Sequence, residues 1–239
     1  MTIAQEALHG LTVPTLANAI ESFGVVAPNA GYNREAIQCH FPQLGMLVAH
    51  AVTITTSTDT QLDPSAQIDL AEYWRWLEAR HQEYGPLVAV LQDTDEPPGG
   101  AMWGEWNANV HLSLGCVGTI THGAVRDLDA LERLGFHAFS TSISVGHGYG
   151  VFTGYDREVT VGGLAIRTGD LFVADRHGFL RIPDEIPLDE LADAARTIDH
   201  LEGEIFALCQ SPDFSIERLV ETQAHVLERW PGSERDHPA

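Results

Sequence analysis

Residues Leu114–Phe136 read LGCVGTITHGAVRDLDALERLGF. The β-branched run VGTIT (Val117–Thr121) predicts a strand buried on both faces. Gly123 predicts the turn that ends it. Asp127–Leu134 then reads as a helix, with acidic residues in its first turn and Gly135 to close it. The rhythm continues on both sides. Upstream, LVAVLQ (Leu87–Gln92) is another continuously apolar strand, DTDEPPGG (Asp93–Gly100) an acidic loop at its end, and Glu105–Leu114 a helix. Downstream, Phe136–Ser144 is a strand again. Strand, helix, strand, helix, strand predicts parallel pairing with right-handed crossovers, hence an α/β fold.

Further out the texture varies. Leu11–Phe23 predicts a first helix, with Thr12 as N-cap, Pro14 in the first turn and Gly24 at the end. Val25–Pro42, rich in Gly, Pro and Asn, reads as a loop. Gly45–Thr56 reads as a strand and Thr56–Ser65 as a polar turn. Ile68–Glu83 reads as a helix, with Trp74, Trp76 and Leu77 on or near its buried face. Past Val151 come short strands, Val159–Val161, Leu164–Arg167, Leu171–Ala174 and Phe179–Ile182, split by Gly-Gly, Thr-Gly-Asp and Arg-His-Gly turns. Leu188–Cys209 and Ser215–Glu228 are helices, and the terminal PGSERDHPA is expected to fray. The organisation predicted is one domain over 1–239: a core over about 11–183, helices over about 187–229 and a tail from 230 to 239.

Composition narrows the function. A chain of 239 residues, 44% of them hydrophobic, has enough apolar surface for one substantial core. A formal net charge of −21 repels phosphate backbones and anionic membrane surfaces, so nucleic acid and membrane are not expected partners. Cys39, Cys116 and Cys209 form an odd, sparse set without C-x-x-C spacing, which argues against a disulfide framework or zinc cluster and suits a reducing, cytoplasmic setting. Met1–Gly10 lacks the pattern of a signal peptide, and no uncharged apolar run reaches about 18 residues.

Ligands of parallel α/β sheets bind beyond the carboxyl ends of the strands. Two segments are expected there, Met102-Trp103-Gly104-Glu105-Trp106-Asn107 and Thr121-His122-Gly123-Ala124-Val125-Arg126-Asp127. The first opens a helix, whose free N–H groups suit a carboxylate. The second sets a guanidinium beside a carboxylate. With one strand between them, the two loops can face each other. Asp127 and Glu105 offer oxygen ligands to a hard divalent cation, and Arg126 offers a fork to an anionic oxygen. The alternative is a surface ion pair at a helix start.

The stretch Leu114–Phe136 resembles the signature of the RraA-like family, written around G-x-V-x-D-G-x-V-R-D. In its class II pyruvate aldolases an acidic residue, twenty residues and Arg-Asp follow in order, and Glu105 with Arg126-Asp127 keeps that spacing. VGGLAIRTGDLFVADRHGFLRIP (Val161–Pro183) is similar to the family's G-G-x-x-V-x-P-G-D-x-x-x-A-D-x-x-G segment, and LTVPTLANAIESFG (Leu11–Gly24) to its opening helix. The resemblance spans roughly Leu11–Leu208.

That resemblance implies a swivelling β/β/α-type sandwich with a C-terminal helical extension. It implies a lyase, an aldolase of the 4-hydroxy-4-methyl-2-oxoglutarate type with oxaloacetate decarboxylase activity, acting on a small 2-oxo acid with Mg²⁺ or Mn²⁺. Asp127 would hold the metal and Arg126 the keto or enolate oxygen. Gly104, Trp106 and Asn107 would line the carboxylate site, with the amides of Trp106 and Asn107 receiving it. Glu105 would orient a catalytic water. A base partner would come from a neighbouring subunit's C-terminal helix, where Glu202 or Glu204 stands. A homotrimer, or a hexamer as dimer of trimers, is implied, with sites between subunits. Relatives described as regulators that bind ribonuclease E imply the other class, a non-catalytic binding protein.

The sequence departs from the pattern at His122, where many members have Asp or Asn, and at Trp106, where the aldolases tend to have a small aliphatic residue. Thr141–Gly154 lacks the usual basic, Pro-rich pattern. His122 is read as a substrate contact or proton relay, with structural hydrogen bonding as the alternative. His147 is read as lining a cleft or packing in its loop. Cys116 reads as a small core residue.

Overall fold

The computed structural model describes residues 6–233 and divides into two compact units, residues 31–182 and the combined segments before and after them. The expected fraying past residue 233 lies outside the described residues. In chain order the helices are α1 (Val13–Phe23), α2 (Leu70–Tyr84), α3 (Glu105–Ser113), α4 (Leu128–Leu134), α5 (Leu188–Cys209) and α6 (Ile216–Arg229). The strands are β1 (Gln38–Cys39), β2 (Leu47–Ser57), β3 (Leu87–Asp93), β4 (Ala101–Trp103), β5 (Cys116–Val125), β6 (His137–Ile143), β7 (Val151–Tyr155), β8 (Val159–Val161), β9 (Leu164–Ile166), β10 (Leu171–Asp175) and β11 (Gly178–Ile182).

One unit is helical. Thr12 caps α1 by accepting the Thr15 N–H at 3.3 Å, and Gly24 ends it at φ 67°, in the left-handed region that glycine enters without strain. Helix α1 packs on α5 and α5 on α6, burying Leu16, Ile20, Leu191, Ala195, Ile198 and Val226.

The other unit is a mixed sheet in the order β1-β6-β5-β3-β2-β10-β11, with β4 added to β5 and β7 to β2. The expected parallel core is there: β2–β3, β3–β5 and β5–β6 all pair in parallel. Strand β3 shows how the layers form. Leu87, Ala89 and Leu91 pack with Tyr73 and Leu77 of α2, Ala108 of α3 and Leu131 of α4. Val88 and Val90 point the other way and pack with Val159, Val161 and Ile166 of the β8–β9 hairpin. A continuously apolar strand is what a sheet covered on both faces requires. Helices, sheet and hairpin make a β/β/α sandwich.

Five details depart from expectation. Gly123 makes no turn: β5 runs on to Val125, with an irregular register between Thr121 and Ala124 where it pairs β6. Ala101–Trp103 is a strand, as is Val151–Tyr155. Gln38–Cys39, within the expected loop, pairs antiparallel with β6. On α2, Tyr73 and Leu77 are buried and Trp74 is exposed, because positions four apart share a face and Trp74 falls off it.

Candidate functional site

Strand β4 brings the two arms of the site together. It pairs with the end of β5, Ala101 beside Ala124 and Trp103 beside Val125. The Arg126 N–H donates to the Trp103 carbonyl at 2.8 Å. The segments are thus adjacent in one sheet, closer than two loops facing across a strand.

Asp127 precedes α4 but does not cap it. Its backbone is left-handed, φ 56° and ψ 41°, which turns the carboxylate toward α3. There Oδ2 accepts the Glu105 N–H at 3.0 Å, with the Arg126 Nε 3.7 Å away. The carboxylate therefore sits on the positive end of a neighbouring helix, where negative charge is favoured. Glycine at 104 is a requirement of this junction. A Cβ there would stand 2.5 Å from Asp127 Oδ2 and 3.0 Å from Arg126 Cγ.

The first intrahelical bond of α3 runs from the Ala108 N–H to the Gly104 carbonyl. With the Glu105 N–H taken by Asp127, helix geometry leaves the N–H groups of Trp106 and Asn107 without an intrahelical acceptor. The Asn107 side chain is occupied, donating to the Met102 carbonyl at 2.7 Å. Glu105 extends outward, 3.9 Å from the Arg133 guanidinium.

A cavity of about 200 Å³ opens here, lined by Met102, Gly104, Trp106, Asn107, Arg126, Asp127 and His147 among others. His147 comes from a loop that two anchors hold. The Ala101 N–H donates to the Gly146 carbonyl, and the Tyr149 N–H to the Thr58 carbonyl. The segment carrying Thr58 is gathered by Asp95, which accepts from Ser57, Thr58, Asp59 and Thr60. The Thr60 hydroxyl above all, then the Asp59 N–H and the others, hold the Asp95 carboxyl well below the usual range.

Beneath the site lies a buried polar relay. His111 Nδ1 faces the Asn107 carbonyl at 2.7 Å, so this nitrogen carries the proton. Its Nε2 then accepts the Tyr73 hydroxyl at 2.8 Å. Burial pushes the imidazole down to about 4, and the Trp103 ring meets it edge-on at 4.5 Å. One side chain thereby touches α2, β4 and α3. Neither His111 nor Tyr73 stands out in the sequence, since each is a lone polar residue on an otherwise ordinary helix.

Of the expected site residues, Gly104, Glu105, Trp106, Asn107, Arg126 and Asp127 come together. His122 does not line the cavity. It stands at the β5 irregularity, where its Nε2 donates to the Asp93 carbonyl at 3.1 Å. Glu202 and Glu204 lie on α5, in the other unit. Glu204 is held by Arg229 at 2.6 Å. Cys116 is fully buried and its thiol is pushed well up by burial, as a core residue's would be.

The donor set suits a hard cation with few protein ligands. Among the described residues no three His, Cys, Asp or Glu gather as a metal cage. Asp127 is one carboxylate at a helix terminus, its Oδ2 engaged as above. A divalent ion held that way keeps water and takes substrate oxygens, the habit of Mg²⁺.

The fold and site together define an α/β protein whose parallel strands β4 and β5 end beside a cavity lined by a guanidinium, a carboxylate and a helix N-terminus. The chain belongs to the RraA-like (Aldolase/RraA) family, whose model matches residues 14–181. That family includes aldolase and decarboxylase enzymes as well as ribonuclease E regulators. Solved structures with the same fold include a protein from Pseudomonas syringae pv. tomato DC3000, 20% identical, covering 93% of each chain with TM-score 0.68. Another is RraAS2 from Streptomyces coelicolor, described as an unusual member of the RNase ES inhibitor RraA family. It is 21% identical, covering 85% of this chain and 94% of that one, with TM-score 0.60. Protein DlpA of Legionella pneumophila is 30% identical over 86 residues, 35% of this chain and 14% of that protein. No described helix is long and apolar enough to cross a membrane.

Proposed function

We propose that this chain is a divalent-metal-dependent lyase that cleaves a C–C bond of a small 2-oxo acid and releases pyruvate. The supporting observation is the junction at Asp127, a guanidinium, a carboxylate and two free helix-terminal amides around one cavity. The substrate carboxylate is received by the N–H groups of Trp106 and Asn107, where the helix terminus favours an anion. Arg126 meets the 2-oxo oxygen, on which negative charge grows as the bond breaks. Glu105, through a water, takes the proton of the 4-hydroxyl group. The C3–C4 bond then gives its electron pair to the pyruvate enolate, and the 4-hydroxyl carbon leaves as a carbonyl. Asp127 would hold Mg²⁺ or Mn²⁺, which when bound would supply further stabilisation of that charge. Loss of CO₂ from oxaloacetate produces the same enolate and uses the same groups.

Of the two glutamates proposed as a second base from a neighbouring subunit, Glu202 is the better one. Glu204 already bonds Arg229, which holds its carboxyl below the usual range and weakens it as a base.

The test follows pyruvate release from 4-hydroxy-2-oxo acids and oxaloacetate with Mg²⁺ or Mn²⁺, with and without EDTA. Metal-dependent release is expected. Activity undiminished in EDTA contradicts the metal role. No release from any of these acids, with a stable complex with an RNA-degrading enzyme, favours the regulator reading.

A further inference from the structure

The lyase reading leaves one proton without a source. Loss of CO₂ from oxaloacetate gives the enolate and frees no proton, yet C3 of the enolate must take one up before pyruvate leaves. Glu105 is poorly placed to supply it. It begins the cycle as the carboxylate that accepts a proton, and it lines the grooves outside the cavity, 3.9 Å from Arg133. The cavity's own walls offer few donors among the described residues. Arginine does not release its proton in proteins and indole does not ionise, which removes Arg126 and Trp106. Asn107 already donates to the Met102 carbonyl at 2.7 Å, and Asp127 accepts the Glu105 N–H at 3.0 Å. His147 remains, and imidazole is the side chain that takes up and releases a proton near neutral pH.

Close backbone packing holds His147 at the cavity. A Cβ at Gly100 would stand 2.5 Å from the His147 carbonyl carbon and 2.7 Å from the Gly148 nitrogen, so glycine at 100 lets the loop lie directly against the start of β4. Gly148 turns the chain at φ 59°, in the left-handed region, and the Gly150 N–H returns to the His147 carbonyl at 3.2 Å. The backbone is fixed on both sides of His147, while the residue itself is exposed and can recover a proton from solvent.

We propose that His147 is the acid that protonates the pyruvate enolate. The imidazolium N–H bond breaks, the π electron pair of the enolate forms the new C–H bond at C3, and the enolate oxygen becomes the 2-oxo group of pyruvate. The neutral imidazole then takes a proton from solvent. This rests on the lyase reading and adds its closing step. In reverse, the same imidazole removes a methyl proton from bound pyruvate, so the methyl group exchanges with solvent.

Proton NMR of pyruvate in ²H₂O with the full chain and Mg²⁺ follows that exchange, and calorimetry gives the affinity for pyruvate. His147→Gln, at an exposed position, keeps a hydrogen-bond donor and transfers no proton. Exchange is expected to fall about 10²-fold or more, with affinity within about twofold of wild type and the melting temperature unchanged. Exchange within about twofold of wild type in the variant makes water or another group the donor and overturns the inference. Exchange that falls only in step with pyruvate affinity also overturns it, since His147 would then serve binding alone. Wild type that binds pyruvate with metal but exchanges no methyl protons overturns the inference alone. Wild type that binds no pyruvate with metal overturns the lyase reading, and this inference with it.

Discussion

Asp127 occupies backbone space that costs an ordinary L-residue about 1–2 kcal/mol and that Asn and Asp tolerate best. The strain places one carboxylate against both the α3 terminus and Arg126. Local strain of this kind is retained where the surroundings over-determine it, and binding sites are the common place. Gly104→Ala is expected to push this carboxylate aside. The intruding methyl costs about 1–3 kcal/mol, as overpacking does, and pyruvate formation should fall more than the melting temperature suggests. Arg126→Ala is expected to lower kcat by about 10²–10³ with the fold intact, and Arg126→Lys to recover only part, lacking the fork. Melting curves and pyruvate assays on the three variants check this. The sequence points to Glu105, Arg126 and Asp127 as candidates, because an acidic residue and Arg-Asp with twenty residues between them is a pattern of identities. It does not show that Asp127 caps the neighbouring helix instead of its own, since that depends on one backbone angle.

At the scale of elements, the β4 strand and the His111 relay set the geometry. Three residues after Gly99-Gly100 carry too little periodicity to announce a strand, and pairing with β5 is what makes Ala101–Trp103 one. Gly123 misleads for a related reason. It is buried with its N–H on the Thr121 hydroxyl at 3.0 Å, so glycine there serves a strand irregularity and not a turn. His111 adds a pH dependence whose sign follows from its burial. The folded imidazole sits near 4 and the unfolded one near 6.5, so below 6.5 the unfolded chain takes up the proton first. Stability is full above about pH 6.5 and falls as pH drops to about 4, by about 3 kcal/mol from this group. Urea unfolding across that window should show the loss, and His111→Gln should flatten the slope. A slope unchanged by the substitution would mean that other groups carry it.

For the molecule as a whole, the α/β class was legible because the parallel strands are apolar runs, and runs survive without knowledge of their partners. The layering was not. That β8–β9 covers one face of β3 while α2, α3 and α4 cover the other is a matter of tertiary packing. Assembly lies further still from the sequence. On α6 Ile216, Val220 and Leu227 are bare, and the site itself carries an exposed Trp106. A trimer or dimer of trimers is the proposed state, and light scattering that shows a clean monomer would contradict it. The account stands most directly on Asp127 as the metal's carboxylate. Asp127→Asn keeps a residue that tolerates the left-handed backbone and can still accept the Glu105 N–H, so the fold is expected to hold. The measurement is pyruvate formation by this variant across a Mn²⁺ titration, alongside its melting temperature. The account predicts an unchanged fold, a metal requirement raised by tenfold or more on the order expected for losing one charged ligand, and partial recovery at high Mn²⁺. Wild-type turnover at wild-type Mn²⁺ would contradict it.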